Sequence, residues 1–165
     1  MKATNSAQAS KFQETIVDFL INIPLFDGMH ANELGIVAKH MNIIDIEKGG
    51  VLFREGDKGD FICFVLEGRI DVIKESAHGG HVVIASLKRG RSIGEMSVID
   101  DSPRSATARA KVATSFLTLT KKSFDAILID QPRIGIKILK GLARLLSLNL
   151  RKTSGLLADY MLPMT

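Results

Sequence analysis

The chain has 165 residues, 45% hydrophobic and 24% charged, and carries a formal net charge of +4. That length suits one domain around one core, and no apolar run approaches the ~20 residues that span a bilayer. A single cysteine, Cys63, excludes an intrachain disulfide, and the scattered His30, His40, His78 and His81 show no metal-ligand spacing.

Residues 1–11 are small and polar with no apolar stretch behind them, which reads as a frayed terminus and not a signal peptide. With one cysteine, in an apolar run that suits a small buried hydrophobe, this points to a reducing, cytoplasmic setting. Phe12, Ile16, Phe19 and Leu20 recur at helical spacing and predict a helix over residues 11–22, ended by Pro24. Leu34, Val37 and Met41 predict a second helix over 31–40, after a turn at Asp27-Gly28. From residue 41 the texture changes to short β-branched segments at 41–47, 51–54, 61–66, 69–75, 81–87, 105–111 and 114–120, separated by glycine turns. This pattern predicts a sandwich or barrel. Ala106, Ala108 and Ala110 alternate with Thr107, Arg109 and Lys111, and Leu117 and Leu119 with Thr118 and Thr120, so each strand is expected to bury one face.

Ser123 is the expected N-cap of a short helix ending at Ile129, and Pro132 opens a long one reaching about Lys152. On the long helix Arg133, Lys137, Lys140, Arg144, Ser147 and Arg151 form a polar stripe, read as a solvated face. The apolar remainder is too wide for one neighbour. One side can meet the β domain; the other meets either the same helix of a second chain, through a heptad-like seam, or the chain's own elements. Leu156, Leu157, Tyr160, Met161 and Leu162 follow as a further amphipathic turn or two, which leaves no room for a helix-turn-helix module.

One stretch, residues 91–107, has a composition that strand-turn-strand packing does not require. Gly94 permits a close backbone approach or an unusual dihedral. Residues 95–99 can form a helical turn whose free N–H groups favour an anion. Arg104 supplies a planar fork suited to phosphate, and Ser105 adds a hydroxyl and its own N–H. A carboxylate in the same place would repel phosphate, so Glu95 fits sugar hydroxyls better. The set reads as a site for phosphate plus ribose in one ligand. A competing reading pairs Arg104 with Asp100 or Asp101 and lets Glu95 cap its own turn.

Gly94-Glu95-Met96-Ser97 followed by Pro103-Arg104-Ser105-Ala106 resembles the phosphate-binding cassette of cyclic-nucleotide-binding domains. That family includes catabolite activator proteins, regulatory subunits of cAMP-dependent kinase and cyclic-nucleotide-gated channels. Ile23-Pro24-Leu25-Phe26 is similar to the family's entry segment. Glu55-Gly56-Asp57-Lys58-Gly59-Asp60 and Phe64-Val65-Leu66-Glu67-Gly68 are similar to its turn and central strand, so the resemblance spans residues 23–150. It implies an α+β fold: an antiparallel β-roll or jelly roll, a cupin-like double-stranded β-helix, with N-terminal helices and a long C-terminal helix. Residues 1–22 would be a tail and helix, 23–130 the cyclic-nucleotide-binding roll with flanking short helices, and 131–165 a lid or dimerisation helix and tail.

The resemblance also implies roles. Glu95 would hold the ribose 2′-hydroxyl and Arg104 the exocyclic phosphate oxygens. Ser105 and Ala106 would donate N–H groups, the Ser105 hydroxyl adding one more, while Gly94, Met96 and Ser97 form the turn around the phosphate. Ile93 and Met96 depart from the commoner aromatic and leucine. Ser105 resembles the bacterial cAMP receptors, whereas cGMP-selective relatives more often carry threonine; the expected ligand is therefore cAMP, with cGMP the alternative and no cofactor. Tyr160, the only tyrosine, is a candidate cap for the base or a packing residue of the tail.

The function implied is that of a sensor and not an enzyme. Ligand binding would shift the C-terminal helices, and the output would be a surface offered to a protein effector or to a second copy in a homodimer. Two rivals are a dimerising adaptor of the same fold with a degenerate or differently selective pocket, and a cupin-like metal enzyme. The latter needs companions for His78 and His81. The basic stripe lacks the interleaved aromatics of a nucleic-acid surface.

Overall fold

The computed structural model describes residues 2–76 and 79–161, so His78 and Leu162 lie outside the described residues. In chain order the elements are α1 (Lys2–Leu20), a 3-10 turn (Pro24–Phe26), α2 (Ala31–Ala38), β1 (Met41–Ile46), β2 (Val51–Phe53), β3 (Phe61–Glu67), β4 (Arg69–Glu75), β5 (His81–Lys88), β6 (Ser92–Ile93), α3 (Glu95–Asp100), β7 (Thr107–Ala110), β8 (Thr114–Thr120), α4 (Lys121–Asp130) and α5 (Pro132–Met161). All strand pairs are antiparallel. They form two sheets, ordered β1-β8-β3-β6 and β2-β7-β4-β5. This is the antiparallel β-roll, with flanking helices, expected of the α+β class.

The strands β3 and β8 explain how the roll and the helices hold together. Their side chains alternate between two apolar clusters. Cys63, Val65 and Phe116 point into the roll, where they meet Phe53, Ile70, Ile93 and Ala108. Ile62, Phe64, Leu117 and Leu119 point outward and are covered by Leu20, Leu34, Ile127 and Ile138 of the helices. The expectation of one buried face therefore holds for β7, whose Ala108 and Ala110 are buried and Arg109 exposed. It fails for β8, because that strand is central and covered on both sides. Thr118 is buried there, its hydroxyl donating to the Asn42 carbonyl at 3.1 Å.

Several helix boundaries differ from the sequence reading, α1 and α2 each ending two residues early. α1 begins at Lys2, where a frayed terminus was expected. The N-cap of α4 is Thr120, whose hydroxyl accepts from the Ser123 N–H at 3.0 Å, so the cap sits three residues earlier than Ser123. α5 continues to Met161, well past Lys152.

The polar stripe of α5 faces solvent, with Lys137 half-buried, and two of its members also make ion pairs. Lys137 ion-pairs with Glu33 at 2.7 Å and Arg144 with Asp27 at 3.6 Å. Between them Gly141 lies against the 3-10 turn so closely that a Cβ would sit 1.9 Å from the Leu25 carbonyl oxygen. Ile134, Ile138 and Leu142 bury the adjoining face, each removing an aliphatic side chain from water for roughly 1.5–3 kcal/mol.

Candidate functional site

β6 ends at Ile93, and the chain must turn sharply into α3. Gly94 makes that turn at φ +89, in the left-handed region. It is also the only residue that fits: a Cβ there would meet Arg104 Nη1 at 2.4 Å and the Phe61 carbonyl at 3.0 Å. Glu95 then opens α3 with its side chain buried.

Arg104 reaches the same place from the loop before β7. Its backbone is strapped to the turn between β2 and β3, its N–H donating to the Asp57 carbonyl at 2.8 Å and its carbonyl accepting from the Gly56 N–H at 2.8 Å. Gly59 in that turn packs on α3, where a Cβ would lie 2.1 Å from Ser97 Cβ. The segment 55–60 is thus the brace that fixes Arg104 relative to α3. Its sequence signal was visible, but the long-range hydrogen bonds that give it this role were not.

The Arg104 side chain points inward and is 2% exposed. Nη1 donates to the Gly94 carbonyl at 2.9 Å and Nη2 to the Phe61 carbonyl at 2.8 Å. The guanidinium lies over the rings of Phe53 and Phe61, 4.1 and 4.6 Å from their centroids. Asp100 and Asp101 are not its partners. Asp100 accepts from the Ser102 N–H and Asp101 pairs with Lys121, which removes the competing ion-pair reading.

Among the described residues, two buried side-chain polar atoms have no hydrogen-bond partner in the protein: Glu95 Oε2 and Arg104 Nε. Such orphans are rare in folded proteins and call for an explanation. Burial pushes the Glu95 carboxyl above the usual carboxylate range, against the pull of its own backbone N–H and of Arg104 and Arg91. Burial likewise lowers the Arg104 guanidinium, opposed by the nearby carboxylates of Asp60, Glu95 and Asp57. Beneath the site the Cys63 thiol is pushed up to about 12 by desolvation, which fits an inert core residue.

Both residues line one cavity of about 400 Å³, together with Gly94, Met96, Ser97 and Ser105. Ser97 is buried; Met96 and Ser105 are exposed at the rim, where the Ser105 hydroxyl rests 3.9 Å from Met96 Sδ. Lys74 holds the Ser105 carbonyl at 2.7 Å and pairs with Glu55, which ties the rim to β4. Ala106 is buried and does not line the cavity. Nor does Tyr160, which is 89% exposed near the end of α5, so the structure does not place it over the site.

The α5 residues at the cavity are instead Leu145, Asn149, Lys152, Thr153 and Leu156. The helical spacing 145-149-152-156 puts them on one face, a signal that was present in the sequence. Phe53 and Arg91 are further lining residues that the sequence reading did not single out. A second hollow of about 470 Å³, between α1 and α2, is lined by neither Glu95 nor Arg104. Among the described residues no group of three or more His, Cys, Asp or Glu side chains is placed to hold a metal.

A β-roll with an inward arginine, a buried carboxylate beside it and a helix along the cavity defines a small-molecule-binding module. The sequence matches the family model described as "Cyclic nucleotide-binding domain" over residues 43–131, and the chain belongs to that family. The structure is similar to a cyclic nucleotide-binding domain from Methylobacillus flagellatus KT, with TM-score 0.80 and 33% identity, covering 95% of this chain and 86% of that one. It is also similar to the catabolite activator protein of Thermus thermophilus, with TM-score 0.75, 28% identity and coverage of 83% and 62%. Among curated relatives, the lysophospholipase nte1 of Neurospora crassa is 36% identical over 100 residues, 61% of this chain and 7% of that protein. The CRP-like cAMP-activated global transcriptional regulator of Mycobacterium tuberculosis is 23% identical over 142 residues, 86% of this chain and 62% of that protein. The chain thus spans less than two thirds of these two curated relatives. No helix among the described residues is long and apolar enough to cross a membrane.

Proposed function

We propose that the protein is a regulatory sensor that binds cAMP in the roll and answers by moving α5. The observation that carries this reading is that one cavity is lined by both Glu95, a buried carboxylate, and Arg104, a buried guanidinium, each with a polar atom that finds no partner in the protein. A cyclic nucleotide supplies a donor for the first and an acceptor for the second in a single ligand. Its free ribose 2′-hydroxyl would donate to Glu95, and its exocyclic phosphate oxygens would accept from Arg104. The Ser105 N–H and hydroxyl and the turn at Gly94, Met96 and Ser97 would complete the phosphate end, and the Ala106 N–H would join only if the ligand draws that buried residue to the cavity. The base would lie toward α5, where Leu145 and Leu156 offer apolar contact and Asn149 and Thr153 offer donors and acceptors. Serine at 105 favours cAMP over cGMP.

Because α5 borders the cavity, a ligand that touches it has different affinity for different helix positions, which is what a population shift requires. The same helix supports a homodimer. Leu139, Ala143, Leu146, Leu150, Thr153 and Leu157 follow a four-three repeat along a face of α5 that the roll leaves largely exposed. That seam also favours the second reading, a dimerising adaptor whose pocket is degenerate or selects another ligand.

Calorimetry with cAMP and cGMP separates the two. Micromolar or tighter binding of cAMP, weaker binding of cGMP, and a loss of about 2–5 kcal/mol on Arg104→Ala are expected for the sensor. Binding that survives Arg104→Ala unchanged refutes the assigned role, and no binding of either nucleotide leaves the adaptor.

A further inference from the structure

The helix that borders the cavity is held at its other end. Lys137, Gly141 and Arg144 lie four and three residues apart on α5 and share one face. Lys137 Nζ donates to both Glu33 oxygens, at 2.8 and 2.7 Å, and to the Gly28 carbonyl at 3.3 Å. Glu33 is itself oriented by accepting the His30 N–H at 2.9 Å at the start of α2. The Lys137 bonds, with that N–H, hold its carboxyl below the usual range. Gly141 rests on the Leu25 carbonyl with no space for a side chain, and Arg144 reaches Asp27.

Helix geometry turns this contact into a lever. At 1.5 Å per residue, Leu156 lies ~22 Å along the axis from Gly141, so a tilt of about 10° there moves Leu156 by roughly 4 Å. That is enough to take a lining residue out of contact with anything bound in the cavity.

We propose that the Glu33–Lys137 pair, backed by Gly141 seated on Leu25, is a latch that fixes how closely the distal half of α5 lies over the cavity. The latch touches no ligand and acts by positioning the helix. Its effect on ligand retention rests on the cyclic-nucleotide reading above; its effect on the placement of α5 does not.

The test measures the helix directly. Cys63 is buried and its thiol unreactive, so nitroxide labels go selectively onto Lys48→Cys in the exposed β1–β2 turn and Ser154→Cys on α5. Electron–electron distances are read in this background, diluted with excess unlabelled chain so that only distances within one copy count, and in Glu33→Gln, Lys137→Met and the conservative Lys137→Arg. One narrow distance is expected in the parent, a broadened or displaced one in each neutralised variant, and recovery in Lys137→Arg, which keeps a cation that can donate to Glu33 and to the Gly28 carbonyl. For a partly exposed ion pair the cAMP dissociation constant should rise by about two- to fivefold in the neutralised variants, through faster dissociation. Distances that do not respond to neutralisation, or that Lys137→Arg fails to keep at the parent value, overturn the latch. A parent that binds no cyclic nucleotide overturns the functional reading instead, and the distances then decide the latch alone.

Discussion

Burial holds the Glu95 carboxyl above its ordinary value of 4.5, so the folded, unliganded protein takes up a proton there more readily than the unfolded chain does. Linkage then fixes the sign. The folded state carries no penalty below pH 4.5, begins to lose stability as pH rises through that value, and bears the full cost once the pH exceeds the raised folded value. Glu95→Gln should therefore raise the melting temperature of the free protein at neutral pH, with the gain vanishing toward pH 4. The same change should weaken cAMP binding, because the amide is a poorer acceptor for a sugar hydroxyl than a carboxylate. Thermal denaturation across pH, paired with calorimetry, reads both effects. A variant less stable than the parent at pH 7 would show that the carboxylate is satisfied in the free state. At this scale the sequence was informative about residue types and silent about partners. Arg104 and Glu95 stood out by their setting between Gly94 and Ala106, but two backbone carbonyls and two phenyl rings hold the guanidinium. Nothing local announces Phe61, which is 43 residues away.

Secondary elements were legible where period and punctuation agreed. β4 and β8 match their expected bounds, since alternating residues run between clear turns. β6 was not expected as a strand, because two residues carry no periodicity; it exists through pairing with Cys63 and Phe64 of β3. α5 reaches past Lys152, its expected end, because the helix runs without a break through Thr153-Ser154-Gly155. Of the glycines in α5, Gly141 makes the tightest approach, a contact with Leu25 that no local signal announces. Gly141→Ala should displace the helix from the 3-10 turn and lower stability by about 1–3 kcal/mol, the usual cost of overpacking, in chemical denaturation. A neutral or stabilising outcome, as helix propensity alone would give, would mean that the two elements are not in close contact in solution.

For the whole molecule, the exposed apolar seam on α5 is the feature that an isolated chain leaves unexplained. Leu150, 68% exposed, is at its middle. Sedimentation should show a dimer for the parent and a monomer for Leu150→Glu, since a charge facing its own copy across a heptad seam is disfavoured. A monomeric parent would remove the seam as an interface. The β-roll itself was readable as an architecture from many short strands and glycine turns, whereas the assignment of strands to sheets depends on long-range pairing that spacing does not encode.

Because neighbouring residues of β3 and β8 feed opposite clusters, those strands are a wall shared by two rooms. Sliding β8 by a single position would trade Phe116 for Leu117 and put the wrong volume on both sides at once. Misregistered folds are thus penalised twice, and any drift in the wall's sequence must suit two environments together. That leaves the freedom to vary in the loops, the outer strands and the solvent side of the helices.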